Sequence, residues 1–137
     1  MARDKFHQEV RVALEKEGWT ITNDPLLFKV GELQVHIDLG AEQLIAAERG
    51  TDKIAIEIKT FGNLSFITAL YEAVGKYIIY RNVLKIREPE RTLFLAVPER
   101  TFNLFFKEEI VQKVMEEEHF KIVIYNQDTQ KIVRWIQ

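Results

Sequence analysis

Apolar residues near the start recur at helical spacing. Phe6, Val10, Ala13 and Leu14 share one face and Gly18 follows as a stop, so residues 2–17 are predicted as an amphipathic helix. Residues 19–22 read as a short strand, and Asn23-Asp24-Pro25 as a turn. Phe28-Lys29-Val30, Gly31-Glu32 and the run from Leu33 read as a hairpin. From Leu33 to Asp38 apolar and polar residues alternate, Gly40 interrupts, and residues 43–48 resume as a strand. Residues 33–48 therefore fit either two strands or one strand bent at Gly40. Residues 49–52 turn the chain back into residues 53–59, where Ile54, Ile56 and Ile58 share one face and Ala55, Glu57 and Lys59 the other. For a half-buried strand, this pattern predicts an isoleucine face on the core and a polar face in solvent.

If that turn pairs Glu48 with Lys53, Glu57 falls opposite Leu44, and Glu48 lies about 13 Å from Glu57 along the strand. After residues 61–63, a helix capped by Asn63 or Ser65 carries Phe66, Ala69, Leu70, Ala73, Val74, Tyr77 and Ile78 as its core stripe. Gly75 inside that helix costs about 1 kcal/mol against Ala, which suggests a close approach there. Residues 92–97 are almost wholly apolar and end at Pro98, as in a central strand covered on both faces. Residues 105–118 read as a further helix after a short turn at 98–103, and residues 121–125 and 132–136 as two closing strands.

The 137 residues fit one domain, with 47% hydrophobic and 29% charged residues. No apolar run reaches membrane-spanning length, the start lacks an apolar signal region, and cysteine is absent, so the expected location is cytoplasmic. A formal net charge of −2 does not suit binding to nucleic acid through bulk positive charge. The charge is uneven, however. Lys76, Arg81, Lys85, Arg87 and Arg91 outnumber Glu88 and Glu90 in one segment, whereas residues 99–118 are acidic. The first segment would attract phosphate; equally, both are solvated helix faces.

The chemistry centres on Asp38 at the end of one alternating run and Glu57-Ile58-Lys59 at the end of the next. An Asp followed by Glu-x-Lys on a later strand is the pattern of the PD-(D/E)xK nucleases. The wider run is more specific. Residues 37–42, 44–48 and 54–61, with the later Leu70-Tyr71-Glu72-Ala73-Val74-Gly75-Lys76-Tyr77 and Tyr80-Arg81, resemble the XisH family. These are the fdxN-element excision controlling factors of cyanobacteria.

The resemblance covers nearly the whole chain. It implies a restriction-endonuclease-like α/β/α sandwich with a mixed central sheet. It also implies a site in which Asp38 and Glu57 bind Mg²⁺ or Mn²⁺, the carbonyl of Ile58 completes the shell, and Lys59 steers the attacking water. Oxygen donors without thiolates suit those cations. Glu9, at the edge of the first helix's buried stripe, is either an outer ligand or a glutamate facing water. The residue before Asp38 is Ile37 where the motif carries a proline. Away from the motif, Glu57 and Lys59 would read as a surface pair. Lys76 is either the i, i+4 partner of Glu72 or, with Tyr80 and Arg81, a contact to the DNA backbone. His7, His36 and His119 are isolated along the sequence.

Two functions follow from the resemblance. One is a metal-dependent DNA endonuclease or nickase acting in a programmed DNA rearrangement. The other is a non-cleaving DNA-associated accessory factor that works through a XisI-like partner and, indirectly, a site-specific recombinase. A sugar or nucleotide enzyme is disfavoured, since no phosphate-cradling glycine loop or nucleophile motif is present. Residues 101–106 hold three phenylalanines and a leucine. Either all are internal, or at least one is exposed and this segment, or the last strand's edge, serves a homodimer or a XisI-like partner.

Overall fold

The computed structural model describes residues 2–35, 42–59, 61 and 65–137. Helix α1 (Ala2–Lys16) ends where expected. Gly18 takes a positive φ of 87°, so its N–H reaches the Glu15 carbonyl at 3.0 Å while that of Trp19 reaches Leu14 at 3.1 Å. These two bonds close the last turn and aim the chain into strand β1 (Thr20–Asn23). His7 is not isolated in space. Its Nε2 lies 2.7 Å from the Asp24 carboxylate, which also receives Arg11 at 2.6 Å, and together they pin α1 to the end of β1.

Strands β2 (Phe28–Val30) and β3 (Leu33–Val35) form a two-stranded sheet of their own. Strand β4 (Glu42–Arg49) is separate from β3, which settles the strand layout in favour of two strands. It pairs antiparallel with β5 (Asp52–Lys59), Glu48 opposite Lys53 and Leu44 opposite Glu57, in the expected register.

Helix α2 (Phe66–Arg87) is capped by Ser65, whose hydroxyl accepts from the Thr68 N–H at 3.3 Å. It crosses from β5 to β6 (Thr92–Pro98), which runs parallel to β5. Helices α3 (Glu99–Phe105) and α4 (Glu109–Glu117) cross from β6 to β7 (Ile122–Asn126), again parallel. Strand β8 (Lys131–Ile136) closes the edge antiparallel to β7. Where a turn was expected at 98–103 there is a helix. Phe102 and Phe106 stand one turn apart and stack at 5.6 Å, so local packing sustains a helical turn directly after Pro98.

The order β1-β4-β5-β6-β7-β8 makes one mixed sheet with two parallel crossovers. Both crossovers step the same way across the sheet, so right-handed connection puts α2, α3 and α4 on one face and leaves the other to α1. The result is an α/β/α sandwich, its sheet covered on both faces. On the α1 face Val10, Ala13 and Leu14 pack on Ile45, Ile54, Ile56, Ile58 and Phe94. On the α2 face Leu70, Ala73, Tyr77 and Leu84 pack on Leu44, Ala55, Leu95 and Ile124. Tyr77 ties this layer together: its hydroxyl donates to the Leu93 carbonyl and accepts from the Lys121 N–H, both at 3.0 Å. Burial raises its pKa, which keeps the donating proton in place.

Candidate active site

The polar side of β5 is not solvated. Ala55, Glu57 and Lys59 turn toward α2, and Glu57 is 0% and Lys59 1% exposed. Strict alternation predicts a solvent face only when one side of a sheet is bare, and here helices cover both. The Lys59 ammonium lies 3.2 Å from Glu72 Oε1, so α2 supplies an acid to the lysine of β5. Glu72, expected to pair along its own helix with Lys76, also reaches across to the sheet. Lys76 is half-buried and sits one turn further along the same flank.

Asp38 lies outside the described residues, as does His36. Strand β4 begins at Glu42, opposite Lys59. Among the described residues no three His, Cys, Asp or Glu side chains stand together as a metal-binding group. The donor set that Glu57, the Ile58 carbonyl and Asp38 would offer is all oxygen, which fits a hard divalent cation in chemistry.

Glu9 does not join this set. It is buried, at 4% exposure, which removes the water-facing reading. Its neighbours, however, are on the α1 face: Gln127 Nε2 donates to Glu9 Oε1 at 3.4 Å, and the carboxylate charge acts on Tyr125. The sheet stands between it and Glu57. A helix edge one position from Val10 was enough to place Glu9 near the core, but not to say which side of the sheet it would serve.

Two of the three expected DNA contacts have described places in the fold. Tyr80 is 5% exposed and belongs to the core under α2. Arg81 donates to the Glu118 carbonyl, lies 3.4 Å from the Glu118 carboxylate and covers the Tyr77 ring, which ties α2 to the end of α4. Further along the basic segment, Arg87 donates to the Lys29 carbonyl and Arg91 is buried at the far end of the sheet. Most of that segment's cations therefore brace the fold. Of the aromatic segment, Phe106 is internal, whereas Leu104 is 62% and Phe105 37% exposed.

The fold is thus an α/β/α sandwich that carries a buried Glu-x-Lys at the carboxyl end of a central strand, with an acid from the following helix beside it. The XisH protein family model matches residues 1–133, and the chain belongs to the XisH family. It is similar to the crystal structure of an XisH family protein from Nostoc punctiforme PCC 73102, with 43% identity, 98% of this chain and 100% of that one covered, and a TM-score of 0.91. It is also similar to a fdxN element excision controlling factor protein from Anabaena variabilis, with 40% identity, the same coverage and a TM-score of 0.92. No curated protein matches the chain. Among the described residues no helix is long and apolar enough to cross a membrane.

Proposed function

We propose that this chain controls excision of a DNA element, as the name of its Anabaena variabilis relative states for that protein, and that it does so as a metal-dependent DNA endonuclease or nickase. The observation that carries the reading is the burial of Glu57 and Lys59 side by side on the α2 face of β5. A surface pair would lie in water at little cost. Taking an acid and a base into the core costs several kcal/mol per ion before partners offset it, so their retention calls for a task. Asp38, Glu57 and the Ile58 carbonyl would hold Mg²⁺ or Mn²⁺. When bound, the ion would supply charge neutralisation at the phosphate and an acidified water.

Lys59 orients the attacking water and offsets the charge that gathers on the phosphate oxygens. Glu72 holds the ammonium on the side facing α2. Lys76, half-buried on the same flank, is the cation best placed to meet the DNA backbone.

A second reading has its own support. With the Glu72 carboxylate 3.2 Å from the Lys59 ammonium, where it competes with an incoming phosphate, the site also suits a non-cleaving accessory factor. Such a factor would keep the fold and act through a XisI-like partner and a recombinase. Incubating the purified chain with supercoiled plasmid and junction DNA, with Mg²⁺, Mn²⁺ or chelator, and with and without a XisI-like protein, separates the two. The endonuclease reading expects metal-dependent nicks or breaks. Intact DNA in every arm, alongside DNA or XisI binding, selects the accessory factor.

A further inference from the structure

Helix α2 is apolar on both sides. Its inner face is core, yet Ile67, Tyr71, Ile79 and Ile86 on the outer face are 46%, 69%, 55% and 67% exposed. At 100° per residue these four, with Ile78 and Gly75, fall on one outer stripe that runs about 28 Å along the helix and includes the uncharged Thr68 and Asn82. Gly75 sits near the middle of it. A Cβ added there would meet nothing within 4 Å, so nothing among the described residues of the chain needs a glycine at a position where it costs about 1 kcal/mol of helix stability. A backbone left bare in the centre of an exposed apolar stripe allows another backbone to come close.

We propose that a second copy of this chain docks on this face, the two α2 helices crossing antiparallel at Gly75. Tyr71 and Ile79, and beyond them Thr68 and Asn82, stand in matching positions about that residue, as an isologous contact requires. Tyr71 and Ile79 lie four positions to either side, so a twofold axis at Gly75 sets Tyr71 of each copy against Ile79 of the other. Lys85, the stripe's only charge, stands ten positions beyond Gly75 and so meets the partner's first helical turn rather than another cation. The area offered by two copies is on the order of 1,000 Å², the lower bound for a specific interface, as in a weak, concentration-dependent dimer. A nucleic acid would find almost no cation here, and the exposed part of the 101–106 segment is smaller. The axis of an antiparallel pair keeps matching flanks together. The Glu72 flanks of both copies, and the Lys59 residues they contact, therefore open on one side of the dimer. This dimer does not depend on the chain cutting DNA.

Sedimentation velocity of the full chain across micromolar concentrations tests the proposal. The wild type is expected to dimerise. Gly75→Leu and Tyr71→Glu should each raise the dimer dissociation constant by about tenfold or more, with the circular-dichroism spectrum retained. Phe105→Ser should leave dimerisation unchanged. The double variant Tyr71→Glu/Ile79→Lys should recover the dimer, because each new acid faces a new base across the axis. A wild type that stays monomeric overturns the proposal. So does a dimer indifferent to Gly75→Leu and Tyr71→Glu, or one broken by Phe105→Ser alone. Failure of the double variant to recover overturns the antiparallel crossing.

Discussion

Charged side chains are buried at opposite ends of the same parallel strands, and the two ends are built differently. At the amino end, Arg91 lies beneath the start of β6. Its guanidinium meets Glu88 at 2.8 Å, Glu48 at 3.5 Å and the carbonyls of Ile54 and Ala47 at 3.0 and 3.4 Å. Planar donors divided among two carboxylates and two backbone acceptors leave that charge no freedom, and the arrangement joins three strands to the turn after α2. At the carboxyl end, Glu57 and Lys59 come from one strand. Glu72, the acid that reaches Lys59, is 41% exposed at its side chain and rises from a helix surface. A flexible ammonium facing a half-solvated carboxylate can exchange partners when a ligand arrives; a guanidinium locked to backbone carbonyls cannot. Similar burial thus accompanies unlike settings, a fixed brace at one end and a pair free to rearrange at the other.

The largest effect that would sharpen this contrast is on activity. Lys59→Ala should abolish DNA cleavage while leaving Mn²⁺ affinity equal or higher, since a nearby positive charge is gone. Cleavage assays paired with calorimetry check it, and an active enzyme indifferent to the change would reduce Lys59 to a structural partner.

Next comes the brace. Arg91→Ala removes charge-assisted hydrogen bonds to the partly solvated Glu48 and Glu88 carboxylates and to two backbone carbonyls, and should cost about 2–3 kcal/mol in denaturant unfolding. A loss below about 1 kcal/mol would break the comparison by making the two ends alike.

Smaller still, Glu72→Gln should change stability by about 1 kcal/mol or less, because water already screens that carboxylate and Glu57 shares the buried face with Lys59. Unfolding curves for this variant and Arg91→Ala, taken together, measure how unlike the two ends are.

The smallest effect concerns the other face of the sheet. The Tyr125 hydroxyl is buried with no hydrogen-bond partner among the described residues, and burial together with the Glu9 charge holds its pKa well above the ordinary 10.0. Above that pH the unfolded chain releases a proton that the folded chain keeps, so stability falls as pH rises past the unfolded value. Tyr125→Phe should cost under about 1 kcal/mol at neutral pH and flatten that alkaline decline. Melting temperatures from neutral to alkaline pH would show both.

Much of the fold was legible because it is local. Helical spacing marked α1 and α2, and the turn at Gly50 set the register that puts Glu57 opposite Leu44. What the chain hides is which helix covers which face. The alternation in β5 suggested a wet side, although α2 covers it. The i, i+4 spacing of Glu72 and Lys76 hid the reach of Glu72 to Lys59, thirteen residues away in sequence. Tyr80 and Arg81 sat in a basic run yet serve the core and α4. Glu9 read as an edge residue, while its true neighbours, Tyr125 and Gln127, come from the far end of the chain. Gly75 stood out in the sequence as a cost inside a helix, and among the described residues a side chain there would meet no neighbour.

The most direct test of the central claim is calorimetric titration of Mn²⁺ into the wild-type chain and into Glu57→Gln and Asp38→Asn, at matched melting temperatures. The account predicts that the wild type binds and that each variant loses affinity by more than the roughly 10- to 100-fold seen when an outer-shell partner is removed. Wild-type affinity in both variants, or no binding by the wild type, would contradict it.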